Sequence, residues 1–341
     1  MSAKQIAIIG LGATGLSCVN FYRNKGVEVT VFDTREHPPG KEQLDHVTEL
    51  VLGPLSVERL STFNTLVVSP GIAIATPAIA GAIAAGVEVI GDIELFAREL
   101  ASVEYQHAKL VTITGSNGKS TVTSLLGEMA EHAGVNVAVG GNIGVPALDL
   151  LQTDITLYIL ELSSFQLETT SSLNANIATI LNVSEDHLDR YSSFQAYTAA
   201  KHKIYQQSQS VLTNRDDPLT STNKTPQTSF GFDDQQYGIL EQKNGYYLSL
   251  NQQPLLACSA LKLSGKHNWM NALAAIALGQ GVNLPMPAML ETLQTYVGLR
   301  HRCEFVKEVN GVRWINDSKA TNVGATQAAL IGLSDTIQGK V

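Results

Sequence analysis

Cysteine is scarce in this chain: Cys18, Cys258 and Cys303 are the only three in 341 residues, far apart and at no metal-like spacing. That excludes a disulfide-stapled scaffold and a cysteine-built zinc site, and makes reduced, buried thiols in a cytoplasmic protein the expectation. Basic charge is also short. Against 31 Asp and Glu stand 23 Lys and Arg, a formal net charge of −8, which argues against nucleic acid and anionic membrane as partners because phosphate surfaces select basic proteins. Uninterrupted apolar runs of membrane length are missing. The best candidate, GIAIATPAIAGAIAAGVEVI at 71–90, holds Pro77, several glycines and Glu88, and divides into loop, short Ala-rich helix and strand. No basic stretch followed by an apolar one opens the chain, so no signal peptide is expected. What is present, 44% hydrophobic and 16% charged residues, is an ordinary globular mixture long enough for two or three domains.

Three segments share a local grammar: NKGVEVTVFD, AAGVEVIGD and HAGVNVAVGGN. Each places a glycine (Gly26, Gly86, Gly134) after a helical stretch and before a β-branched run, the pattern of a helix ended in left-handed geometry and followed by a strand. Repeated strand–helix–strand units imply parallel sheets with helices on both faces. Further strands are read at 64–69, 109–114, 155–161 and 177–183. The polar stretch 214–263 reads as antiparallel strands, 265–282 as an amphipathic helix, and EFVKEVNGVRWIND as two strands around Asn310-Gly311, with a helix after them.

Two Gly-rich turns carry the chemistry. The first, Gly10-Leu-Gly12-Ala-Thr-Gly15, joins an apolar strand to a helix, and the next strand ends on Asp33. In a dinucleotide-binding unit such glycines let amides approach a pyrophosphate while the acid holds a ribose diol. An NAD-dependent oxidoreductase is therefore one reading. The second turn, Gly115-Ser-Asn-Gly118-Lys119-Ser120-Thr121, also joins a strand to a helix. Its amides can cradle phosphate oxygens, Lys119 can reach the β/γ-phosphates, and Ser120 or Thr121 can ligate Mg²⁺. This loop is shorter than the usual P-loop, which disfavours a generic ATPase or GTPase. Glu161 at one strand end and His187 after another are candidate Mg²⁺ ligands at the same sheet edge.

With TGSNGKST, ELSSFQLE, NVSEDHLDRY, YTAAKHKIY, GKHNWMNALAA, LRHRCEF and WINDSKATN in this order, essentially the whole chain resembles the Mur ligase family. DTR after the second strand, GGNIGVPAL and NDSKATN point within it to the member that joins D-glutamate to UDP-N-acetylmuramoyl-L-alanine with ATP. The resemblance implies that Gly115, Ser116, Asn117, Gly118, Lys119, Ser120, Thr121, Asn268, Asn271, Arg302 and Asp317 serve ATP. It implies that Gly12, Ala13, Thr14, Asp33, Thr34, Arg35, Ser69, Gly71, Asn142 and His187 serve the UDP-linked substrate, and that Lys319 and Thr321 lie near the incoming amino acid. Two Mg²⁺ sites are implied at Ser120 or Thr121 with Glu161, and at His187 with Lys201, the last as an N-carbamylated lysine. Lys119, His187 and Lys201 are the implied catalytic groups.

The expected architecture is α/β: a Rossmann-like parallel-sheet domain (1–93) for the UDP substrate, a P-loop-like ATP-binding domain with an antiparallel addition (94–298), and the start of a third Rossmann-like domain (299–341). A strand pair and one helix cannot bury a core of their own. The expectation is therefore a chain cut within its third domain, inactive or nearly so in ligation, with its last ~40 residues weakly anchored. A cytoplasmic monomer acting on small molecules is expected. Alternatives are a sister Mur or folylpolyglutamate-synthetase-like ligase and a non-catalytic nucleotide-binding module.

Overall fold

The computed structural model describes residues 5–44, 49–263, 265–320 and 323–334. The chain forms two compact units: Met1–His107 with Gly140–Thr153 and Leu162–Leu173, and Ala108–Val139 with Asp154–Glu161 and Asn174–Val341.

The first unit is built on strands β1 (Ile6–Ile9), β2 (Thr30–Asp33), β3 (Glu49–Leu52), β4 (Thr65–Val68) and β5 (Glu88–Ile90), all parallel in the order β3-β2-β1-β4-β5. That order reverses direction between β1 and β4, and the crevice at such a switch point is where α/β sheets receive ligands. The connecting helices are α1 (Ala13–Asn24), α2 (Val57–Leu60), α3 (Pro77–Ala84) and α4 (Asp92–Leu100). Ala7, Ile9, Phe32, Leu66 and Val68 on the strands meet Leu60, Ile79 and Ala82 from the helices in one apolar cluster. The candidate membrane span resolves into turn, α3 and β5. No helix among the described residues is long and apolar enough to cross a membrane.

The second unit holds β6 (Lys109–Thr114), β7 (Val137–Gly141), β8 (Leu157–Glu161), β9 (Ile177–Ile180), β10 (Ser210–Asn214), β11 (Gln227–Phe230), β12 (Tyr237–Gln242), β13 (Gly245–Leu250) and β14 (Gln253–Ala257), in the order β14-β13-β12-β11-β10-β9-β6-β8-β7. Its helices are α5 (Lys119–His132), α7 (Phe194–His202), α8 (Lys266–Gly281) and α9 (Met286–Thr295), while the short α6 (Ser164–Glu168) belongs to the first unit. Gly26, Gly86 and Gly134 all take positive φ, the left-handed helix ends expected of them.

Two expectations need correction. Antiparallel pairing does not begin at residue 214: β11 runs parallel to β10 and meets β12 in parallel at Phe230, and only β12–β13–β14 are antiparallel. Nor is α8 amphipathic. Every residue from Ala272 to Gly279 is buried, because the helix is packed against α5, α9 and the sheet together, and a helix covered on all sides needs no polar face.

A separate antiparallel pair, β15 (Glu304–Val309) and β16 (Val312–Asn316), turns at Asn310-Gly311, both at positive φ as a two-residue hairpin requires, and α10 (Val323–Ser334) follows. Phe305, Val312 and Trp314 on this pair are more than half exposed.

Candidate functional site

A cavity of about 460 Å³ opens at the carboxyl ends of β1, β2 and β4 in the first unit. Gly12, Ala13, Thr14, Asp33, Thr34, Arg35, Ser69, Gly71 and Asn142 all line it, so nine positions singled out along the sequence for the UDP-linked substrate come together in space. The glycines divide the work. A Cβ on Gly15 would lie 1.8 Å from Gly10 O, so this residue lets α1 sit against β1. Gly10 has φ +95°, a conformation that glycine adopts without strain. Gly12, the N-cap of α1, has nothing within 4 Å of its would-be Cβ, which leaves the helix amides open to the cavity.

Asp33 behaves differently from a dinucleotide-binding acid. Its Oδ2 accepts from Leu11 N at 2.7 Å and Arg35 Nη2 at 2.7 Å, while Oδ1 accepts from Arg35 N and Nε, both at 2.9 Å. The guanidinium first, with the Leu11 amide helping, holds the carboxyl at about 2. Each oxygen already has two donors, so the acid shapes the rim and presents Arg35. Pro70 lines the cavity between Ser69 and Gly71, while Gln166 and Ile72 also line it and were missed in the sequence. Only Gln166 left a signal: Ser163-x-x-Gln166 is a capping-box motif, realised at α6.

In the second unit β6 delivers the other Gly-rich turn. Gly115 and Gly118 have φ +156° and +82°, and a Cβ on Gly118 would lie 2.6 Å from Asn271 Oδ1. The loop is tied to the segment beyond β9: Ser116 N donates to Asn182 O at 2.9 Å, and Asn117 N to Asn182 Oδ1 at 2.8 Å. Lys119 Nζ donates to Gly115 O at 2.8 Å and Ser116 O at 3.0 Å. Lys201, 2% exposed, donates to the same Gly115 O at 3.0 Å and lies 4.6 Å from the Tyr197 ring centre. Burial pushes both amines below the ordinary lysine value, and the charge of Lys119 pushes Lys201 further. Glu161, buried at the end of β8 and in register with Ile113 of β6, opposes both shifts.

The remaining candidates fall around this loop in part. Arg302 Nη2 donates to Ser120 Oγ at 3.0 Å, and Asn271 Nδ2 to Asn268 Oδ1 at 3.0 Å. Asp317 accepts from Cys303 N at 3.0 Å and so braces the Arg302 turn. Thr121 is half-buried on the first turn of α5. His187, half exposed at φ +52°, stacks edge-on to Tyr197 at 6.2 Å and does not line the first unit's cavity. Lys319 is exposed, and Thr321 lies outside the described residues. No group of three His, Cys, Asp or Glu that could hold a metal is found among the described residues. Ser120 offers a hydroxyl and Glu161 a buried carboxylate, oxygen donors of the kind that Mg²⁺ accepts.

Two Gly-rich turns of the phosphate-cradling type, one on a parallel sheet and one on the parallel part of a mixed sheet, define the class as a nucleotide-binding α/β enzyme. Residues 4–91 match the Mur ligase MurD-like N-terminal domain and residues 113–279 the Mur ligase middle domain. The chain belongs to the Mur ligase family, whose members are ATP-dependent, ADP-forming amide ligases. It is 52% identical over 334 residues to UDP-N-acetylmuramoylalanine–D-glutamate ligase of Salmonella paratyphi A, covering 97% of this chain and 75% of that one. Identity to the Escherichia coli K12 enzyme of the same name is 53% with the same coverage. Among solved structures, the UDP-N-acetylmuramate–alanine ligase of Thermotoga maritima superposes with TM-score 0.61 at 21% identity, over 98% of this chain and 78% of that one.

Proposed function

We propose that this protein joins D-glutamate to UDP-N-acetylmuramoyl-L-alanine at the expense of ATP, a step in peptidoglycan precursor synthesis. The observation that carries the reading is the convergence of Lys119 and Lys201 on Gly115 O within the Gly-rich turn, under the field of the buried Glu161.

A substrate carboxylate is a poor electrophile, so ATP converts it to an acyl phosphate. The D-glutamate amine then attacks the acyl carbon, and the tetrahedral intermediate collapses with loss of phosphate. Gly115–Thr121 hold the ATP phosphates, and Lys119 offsets charge on the transferring phosphoryl group. Asn268, Asn271, Arg302 and Asp317 serve the nucleotide, and Lys319 and Thr321 the incoming amino acid. Ser120 or Thr121 with Glu161, and His187 with Lys201, would hold Mg²⁺, which would neutralise charge on the phosphates. Lys201 suits a carbamate because a buried amine held below its ordinary pKa is nucleophilic toward CO₂, and the product is an anionic oxygen ligand.

The first unit's cavity holds the uridine diphosphate end of the precursor against the α1 amides, with Asn142 on the substrate side. The saturated Asp33 favours this over NAD, whose ribose diol needs an acid with free acceptor capacity. A monomer in the cytoplasm is part of the same reading. The test is equilibrium binding to this chain: UDP-N-acetylmuramoyl-L-alanine and MgATP should each bind, and NAD should not. NAD binding that excludes the UDP compound would overturn the proposal.

A further inference from the structure

Asp92 is the first residue of α4 and is 2% exposed. Its Oδ2 accepts from Gln166 Nε2 at 3.2 Å, and its Oδ1 has no hydrogen-bond partner among the described residues. Burial raises the carboxyl to about 6. Near neutral pH this is an ionised acid in a desolvated place, which subtracts from stability unless something else requires it.

The requirement lies one residue away, at the cavity wall. Gln166 is 3% exposed and lines the first unit's cavity. Its Oε1 accepts from Ser163 N at 3.0 Å and from Ser163 Oγ at 3.2 Å. The orientation of the amide follows from chemistry. A backbone N–H only donates, so it must face the amide oxygen; an ionised carboxylate only accepts, so it must face the amide NH₂. One N–H of Nε2 goes to Asp92, and the other has no hydrogen-bond acceptor among the described residues.

We propose that Asp92 is a positioning residue: it fixes Gln166 so that its amide presents an N–H donor, and not a carbonyl, to an acceptor oxygen of the sugar-nucleotide precursor. The cavity thereby gains a neutral donor to add to the α1 amides and Arg35, which suits diphosphate, carbonyl or hydroxyl oxygens. Ser163 N claims the amide oxygen and Asp92 claims one N–H of the amide nitrogen, so the two together hold the glutamine in one orientation. The inference rests on the proposed occupancy of this cavity by the precursor.

The experiment titrates UDP-N-acetylmuramoyl-L-alanine into the wild-type chain and into Asp92→Leu, Asp92→Asn, Gln166→Ala and the Asp92→Leu/Gln166→Ala double variant, with the Tm of each. Leucine has the shape of aspartate without its charge, so Asp92→Leu should melt no lower than wild type while its Kd weakens about tenfold, the loss of one hydrogen bond. Asp92→Asn keeps an acceptor oxygen and should bind within about threefold of wild type. In the Gln166→Ala background Asp92→Leu should weaken binding no further, because the two act as one unit. Unchanged affinity in Asp92→Leu, an additive loss in the double variant, or a fall in Tm that tracks the loss of affinity overturns the proposal. Failure of the wild type to bind the precursor overturns the proposed function and this inference with it, whereas binding untouched by Asp92→Leu overturns the inference alone.

Discussion

Lys119 and Lys201 donate to one acceptor, with their Nζ atoms 2.8 and 3.0 Å from the carbonyl oxygen of Gly115. Two ammonium groups sharing one oxygen repel each other, and burial weakens the solvation of both. The more buried of the two, Lys201, is therefore driven well below the ordinary lysine value. A lysine with a lowered folded-state pKa costs stability while it is forced to be protonated, and that cost lifts as pH rises toward 10.5. Lys201→Met should accordingly raise Tm at neutral pH in protein freed of CO₂, and it removes the amine on which the proposed carbamate would form. Calorimetry across pH, together with carbon-13 detection of a carbamate in bicarbonate-equilibrated protein, measures both. A lower Tm in the variant, or no carbamate in the wild type, counts against this account.

Removing Lys119 tests the other member of the pair. Its ammonium bonds two loop carbonyls, and on the proposed role in offsetting triphosphate charge, Lys119→Ala in a complete enzyme should lower phosphoryl transfer by about three orders of magnitude. Binding of UDP-N-acetylmuramoyl-L-alanine, proposed for the first unit's cavity, should be unaffected. Phosphate release and precursor binding, measured on the same preparation, separate the two effects.

How far the sequence reached depends on whether each feature is local. Glycine–strand punctuation at Gly26, Gly86 and Gly134 is local, since each left-handed turn is dictated by its own residue, and the structure repeats it three times. Strand β11 was misread because Gln227–Phe230 carries no mark of direction. Its parallel pairing with β10 depends on a connection that returns with no α-helix, only a single 3-10 turn at Pro218–Thr220. The burial of α8 is set by α5, α9 and the sheet, none of which is adjacent in sequence. Gln166 was not legible as a cavity wall, because the bond that holds it there reaches back 74 residues to Asp92. Asp33 was legible as a strand-end acid, while the folding back of Arg35 onto it was not.

That folding back has a pH signature. Asp33 is held at about 2 against an ordinary 3.8, so the stability it contributes is fully present above about pH 4 and disappears as pH falls through 2. Asp33→Asn should therefore melt below wild type near neutrality, and the gap between the two curves should close in acid. Freed of its partner, Arg35 should also lose its fixed place at the rim, and uridine nucleotide affinity should fall by about tenfold. A gap that persists at pH 2 would show that Arg35 is not the source.

Gly12 and Gly15 are three residues apart and predict opposite outcomes. An added Cβ at Gly15 would overlap the carbonyl oxygen of Gly10 at 1.8 Å, and backbone cannot yield as a flexible side chain does. Gly15→Ala should thus prise α1 from β1 and lower stability by about 3 kcal/mol or more. An added Cβ at Gly12 meets nothing within 4 Å, and φ −92° is open to alanine, so the fold should stand. The new methyl projects instead where the α1 amides face the cavity, and a diphosphate could no longer approach them closely. Gly12→Ala should therefore keep its Tm and bind UDP-N-acetylmuramoyl-L-alanine at least tenfold more weakly, an effect of about 1.4 kcal/mol. Equal Tm losses in the two variants would mean that the turn is packed as a whole, and that Gly12 is not reserved for a ligand.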